Sequence, residues 1–243
     1  MKIISYSLWG NNPTYLQGAV ENAKLASIFY PDWISYFYVS SSVSTHYRNV
    51  LNNIPNVVVI NRDYIHPDDS RGMFWRFEAV SLKKATHIII RDTDSRLSKR
   101  EALAVEDWID SQSDCHIMRD HPYHNAPILG GMWGVKAGLI EDIKVEILKF
   151  RPTKEKAQDQ IFLKNFIYEK IIMGKLSQKV HDSFFVKRPF PLEIRGKTNN
   201  GVWFIGQCFD ENNRPNSIND INILMEAITN EQLADTTKTK SKT

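Results

Sequence analysis

A chain of 243 residues with 42% hydrophobic and 24% charged side chains can bury a sizeable core, and no linker-like stretch divides it, so one domain is expected. The formal net charge is only +3, with basic and acidic residues interleaved, which argues against a nucleic-acid partner. Two cysteines, Cys115 and Cys208, are too few for a disulfide framework. No run has the apolar length of a membrane span or a signal peptide, so the expectation is a cytoplasmic protein with no transmembrane segment.

In chain order, Lys2 to Leu8 reads as a strand. Asn12 and Pro13 then make an N-cap and first helical position, and Leu16, Val20, Ala23, Ala26 and Tyr30 recur at helical spacing until Pro31. Aromatic and β-branched residues predict strands over Trp33 to Ser40 and Asn56 to Ile60, with a short helix between them near Thr45 to Asn53. Met73, Phe77 and Val80 give a helical face between Arg71 and Lys84, and His87-Ile88-Ile89-Ile90 is a short buried strand. Ser98-Lys99-Arg100-Glu101 is a capping box that opens a further helix. Cys115 to Arg119 reads as a strand, followed by a glycine-rich turn from Leu129 to Gly134 and by helices over Lys136 to Phe150 and Thr153 to Met173. Strand character returns at Lys179-Val180 and Val202 to Ile205, a helix is expected from Ser217, and the tail over 236–243 is expected to be disordered. Alternating strands and helices predict an α/β fold with a largely parallel sheet.

Asp92-Thr93-Asp94 follows the buried strand directly and precedes the capped helix. In open α/β sheets ligands bind beyond the carboxyl ends of strands, and two carboxylates at this spacing can share one hard cation with phosphate oxygens. A bare loop turn is the alternative, since Asp is common in turns. Arg76 and Glu78 lie before that strand, where they could reach a donor or form an ordinary solvated face, and Arg91 and Arg96 flank the carboxylates. His116, His121 and His124 do not match zinc spacing and read as a pocket-lining loop. Phe74-Trp75 and Trp133 are core candidates before they are sugar platforms.

With its Asp-x-Asp motif after a buried strand, the sequence resembles the GT-A class of glycosyltransferases from about Lys2 to Phe185, at the level of element order. The resemblance implies a GT-A-like, Rossmann-like nucleotide-binding mixed sheet in a single domain. About 1–115 would bind the nucleotide sugar, 116–235 would face the acceptor, and 236–243 would form the tail. It implies a nucleotide-diphosphate sugar donor, a glycan or glycolipid acceptor, and Mn2+ (or Mg2+) held by Asp92, Asp94 and a late histidine, His181. Ser7, Trp9 and Gly10 would meet the base and ribose. Gly130-Gly131 is similar to the turn lining the sugar pocket of retaining galactosyltransferases. Donor contacts are expected from Arg76 and Thr93, and Asp159 or Asp120 is the expected acidic residue at the reacting centre. The rival readings are a sugar nucleotidyltransferase and a non-catalytic nucleotide-sugar or carbohydrate-binding module.

Overall fold

The first strand, β1 (Lys2–Leu8), has no solvent face: Ile3, Ile4, Tyr6 and Leu8 are all buried. Such a strand must lie inside a sheet covered on both sides. The computed structural model, which describes residues 1–140, 142–192, 195, 197–198 and 201–240, places β1 beside β2 (Trp33–Ser40) and β4 (His87–Ile90), parallel to both. With β3 (Val57–Arg62), β5 (Cys115–Arg119), β6 (Trp133–Lys136) and β7 (Gln178–Asp182) the sheet has seven strands in the order β3-β2-β1-β4-β6-β5-β7. Only β6 runs antiparallel to its neighbours.

Side-chain alternation sorts the core into two layers. Ile4, Tyr6, Leu8 and Ile89 pack against α1 (Pro13–Phe29), α2 (Thr45–Asn52) and α3 (Lys99–Asp110). Ile3, Ile88 and Ile90 face the other side, where Phe74, Phe77 and Phe162 meet with ring centroids 5.6 to 6.1 Å apart. Each such aromatic contributes roughly 2–3 kcal/mol through burial.

Several expected elements differ, each for a local reason. The segment Ser70–Ser81 is a 3₁₀ helix, not an α-helix. Its backbone is diverted by β1: Ser5 Oγ donates to Arg76 O at 2.7 Å, Ser7 Oγ donates to Met73 O at 3.3 Å, and the Arg76 N–H donates back to Ser7 Oγ at 2.9 Å. Side chains that engage helix carbonyls and amides compete with the i→i−4 pattern. The stretch read as turn and helix onset contains strand β6, which fills the gap between β4 and β5. Helix α4 is therefore confined to Ile143–Phe150.

The long helix expected from Thr153 begins only at α5 (Gln158–Phe162), widens into a π-helical turn over Leu163–Tyr168 and ends as α6 (Glu169–Ile172). Before it, residues 151–157 form a loop bounded by Arg151 (φ 52°) and Ala157 (φ 60°), both left-handed. Val202 to Ile205 is not one strand: β8 (Lys197–Thr198) and β9 (Gly201–Val202) make a small hairpin. Helix α7 spans Ile218–Lys240, and residues 241–243 of the expected tail lie outside the described residues. Ser98 caps α3, accepting from the Glu101 N–H at 3.3 Å, but the Glu101 carboxylate does not reach back. It is bound instead by Arg91 Nε at 2.6 Å and by the Tyr30 hydroxyl at 3.1 Å.

Candidate active site

Asp92, Thr93 and Asp94 leave the carboxyl end of β4 in a loop whose backbone is held from beneath. Asn22, buried on α1, donates to Thr93 O at 3.2 Å and Ser95 O at 2.8 Å and accepts from the Leu97 N–H at 3.0 Å. Arg96 Nη1 reaches the same two carbonyls at 3.2 and 2.8 Å. Arg91 is tied to Glu101 and to the Ile90 and Trp133 carbonyls, so neither flanking arginine pairs with Asp92 or Asp94. Replacing Asn22 with leucine strands the Leu97 amide, and a loss of about 1–3 kcal/mol of stability is expected. Turnover should fall further than thermal melting alone accounts for, because the loop beneath the carboxylates loses its brace.

The second wall comes from the Gly130-Gly131 turn. A Cβ on Gly131 would lie 1.9 Å from Asp92 Oδ2, and one on Gly130 would lie 2.0 Å from Asp159 Oδ2 and 2.8 Å from Arg76 Nη2. These glycines admit the site's own carboxylates to close approach. Buried Arg76 joins the walls: Nη1 pairs with Asp92 Oδ1, and Nη2 with Asp159 Oδ2 at 2.8 Å. Burial pushes the Asp159 carboxyl up, and Arg76 pulls against that.

Together these groups line a cavity of about 960 Å³ that also takes in Ser7, Trp9, Gly10, Thr93, Asp94, Gly130 and Gly131. Trp9 does not lie free as a stacking plate: its Nε1 donates to Pro67 O at 3.1 Å and its ring passes over Gly72. Gly10, with φ 74°, donates its N–H to Ser42 Oγ at 2.9 Å.

Two expected placements are corrected. His181 is not beside the carboxylates: its ring is buried, with Nδ1 bonded to His116 Nε2 at 2.8 Å and Nε2 to Asp107 Oδ2 at 2.9 Å. Both nitrogens are committed, so it has no lone pair for a cation. His181→Ala should leave Mn2+ affinity unchanged while costing about 2 kcal/mol or more in stability, read by calorimetry and thermal melting respectively. Asp120 is also structural. It is fully buried, and its carboxylate is bound by Arg100, Arg195, Ser183 Oγ and the Ile205 N–H. Although burial opposes it, Arg195 and Arg100 hold that carboxyl below its ordinary range. Glu78, for which a donor contact and a solvated face were both open, does not line the cavity and pairs with Arg62 at 2.5 Å and Lys144 at 2.7 Å.

Tyr15, Lys154, Lys156 and Cys208, which the sequence does not single out, also line the cavity, together with His124 of the expected pocket-lining loop. His124 accepts the Asp120 N–H at 3.1 Å, and burial pushes it down to about 4. Asn22 was legible as a polar residue within an apolar helical stripe, whereas Lys154 and Lys156 fell inside an expected helix.

Electrostatics set what the floor can bind. Burial, then the neighbouring Asp92 charge, push Asp94 up to about 6, while the Cys208 thiol and Arg76 act in the opposite direction. No ion pair to Asp94 forms among the described residues. Two adjacent carboxylates, one destabilised as an anion by burial and by the charge of the other, fit a hard divalent cation with oxygen ligands. Among the described residues no group of three or more His, Cys, Asp or Glu is arranged to hold a metal. Nor is any helix there long and apolar enough to cross a membrane.

No family model matches the sequence, and no curated protein is a significant match. Among solved structures, a mannosyltransferase from Pyrobaculum calidifontis, in complex with GDP-Man and Mn2+, is similar over 74% of this chain at 12% identity with a TM-score of 0.50. The fold is of the GT-A type. This chain spans 54% of that mannosyltransferase. Two further structures with this architecture are a glycosyltransferase involved in glycosylation of the major capsid of PBCV-1 and the galactosyltransferase LgtC. The first has 13% identity over 76% of this chain and 82% of its own, TM-score 0.49; the second has 16% identity over 76% and 74%, TM-score 0.48. In the GT-A-type frame, the loop after β4 and the turn before β6 open on the same end of the sheet.

Proposed function

We propose that the protein is a metal-dependent glycosyltransferase that moves a sugar from a nucleotide-diphosphate donor to a hydroxyl of a glycan or glycolipid. One observation carries this reading: Asp92 and Asp94, at the end of a central strand, line a 960 Å³ cavity with Gly130-Gly131 and Asp159, the glycine turn lying against Asp92 and Arg76 joining Asp92 to Asp159. Asp92 and Asp94 hold Mn2+ or Mg2+, which when bound neutralises charge on the departing diphosphate. Ser7, Trp9 and Gly10, at the end of β1, form the end of the cavity that receives the base and ribose. The Gly130-Gly131 turn leaves room for the sugar, and Asp159, held by Arg76, orients its hydroxyls. His181 and Asp120 take no part.

The test is calorimetry with uridine and guanosine diphosphates, with and without Mn2+, joined to a donor-hydrolysis assay over a panel of nucleotide sugars. Mn2+-dependent binding with turnover is expected. Binding without turnover on any donor or acceptor would favour a non-catalytic module, and pyrophosphate release from a nucleoside triphosphate would favour a nucleotidyltransferase.

A further inference from the structure

The residues 151–157 loop brings Lys154 and Lys156 to the wall of the cavity. Both side chains are exposed, and neither forms an ion pair among the described residues. Glu155, between them, does not line the cavity. The loop is fastened in place: Ser70 Oγ, at the start of the 3₁₀ segment, bonds Lys154 O at 2.7 Å and Glu155 O at 3.0 Å. Its two ends are the left-handed residues Arg151 and Ala157, neither of them glycine. Arg151 is the left-handed C-cap of α4 and Ala157 the residue before α5, so the loop is bounded by two helix ends.

The charges in the cavity bear on which ligand these lysines fit. Asp92, Asp94 and Asp159 face a single buried guanidinium, Arg76, so the floor is two charges negative when ionised. A divalent cation cancels that excess, leaving the two negative charges of a sugar-diphosphate linkage to be met from the wall. Arg96 is committed to backbone carbonyls and to Asn213, and Arg76 is committed to its carboxylates. Asp68, also at the cavity, is almost wholly solvated beside His66 and is screened.

We infer that Lys154 and Lys156 bind the diphosphate of the donor, as a strap-borne cationic pair lining the same cavity as the metal-binding carboxylates. This rests on the sugar-transfer reading for the identity of the ligand. Lysine suits the task as a mobile point charge that follows phosphate oxygens, and a charge-assisted contact of this kind is worth about ten-fold in affinity.

The experiment is titration of the full chain in Mn2+ with uridine and guanosine diphosphates, inorganic pyrophosphate and the parent nucleosides, comparing wild type with the Lys154→Ala/Lys156→Ala double variant. Because both side chains are exposed, the variant should melt with wild type. Expected is a loss of about ten- to a hundred-fold in affinity for whichever diphosphate the wild type binds, and for pyrophosphate, with nucleoside and Mn2+ binding unchanged. The wild-type diphosphate affinity should also weaken more steeply with salt. Equal diphosphate affinity in the two proteins overturns the lysine assignment and leaves the donor reading standing. Failure of the wild type to bind any diphosphate in Mn2+ overturns both.

Discussion

Asp94→Asn is expected to abolish Mn2+-dependent nucleotide binding and donor turnover while making the metal-free protein more stable at pH 8. The two effects share a cause. An amide cannot supply the anionic oxygen that a hard cation requires, so the floor is left with one carboxylate, already paired with Arg76. At the same time, burial and Asp92 raise the Asp94 carboxyl to about 6, so its ionised form costs the folded state free energy. A carboxyl raised on folding favours the native state fully below its unfolded pKa and loses that contribution as pH rises through about 6. The variant should therefore melt a few degrees above wild type at pH 8, for a gain of about 1–2 kcal/mol after allowance for solvent at the cavity mouth. The difference should narrow as pH falls through about 6 and vanish only below the ordinary carboxylate value of 3.8. In wild type, the melting shift produced by Mn2+ with a nucleoside diphosphate should shrink as pH falls through about 6, because the proton competes for the same oxygens. Full turnover by Asp94→Asn would falsify the metal assignment, whatever happened to the melting curve.

Gly131→Ala is the second change with a large expected effect. The added methyl would sit 1.9 Å from Asp92 Oδ2, 2.5 Å from its Cγ and 2.9 Å from its backbone nitrogen. A flexible carboxylate can swing aside, but the backbone nitrogen is fixed by β4 and the braced loop, so the turn or the strand end must move. Overpacking of this kind costs about 1–3 kcal/mol, and displacing a reacting geometry by 1 Å costs on the order of a hundred-fold in rate. Turnover is expected to fall by about a hundred-fold or more, measured at a temperature where circular dichroism shows the variant folded. Gly130→Ala should act by a different route. It meets the tips of Asp159 and Arg76, so it should disturb the sugar-facing wall while metal-dependent nucleotide binding survives. Wild-type rates for both variants would show that the turn does not border the reacting groups.

The strands and their order of appearance were legible because the signals are local: Ile88-Ile89-Ile90 between polar boundaries, Asn12-Pro13 at a helix start, Asp92 immediately after an apolar run. What was not legible depended on contacts between distant segments. Ser5 and Ser7 turn Ser70–Ser81 into a 3₁₀ helix from some seventy residues away, and nothing in the periodicity of Met73, Phe77 and Val80 records that. Trp133 to Lys136 was hidden by the glycines before it, because its strand identity comes from the empty place between β4 and β5. His181 follows a strand, as a late metal ligand would, yet the register of β7 on β5 sets it opposite Met118, in reach of His116 and Asp107. Asp159 was legible as an acidic residue near a helix start, and its partner Arg76 was picked out separately; their pairing across 83 positions was not.

The antiparallel return of β6 has a consequence for how this architecture tolerates change. Ile90 and Trp133 occupy the same rung of the sheet, so the carboxylates after one and the glycines before the other are measured from a common origin. Insertions between Pro122 and Ala126 leave that rung in place. A single-residue deletion between Gly131 and Trp133 would draw the glycines one step along the strand and part them from the carboxylates they enclose.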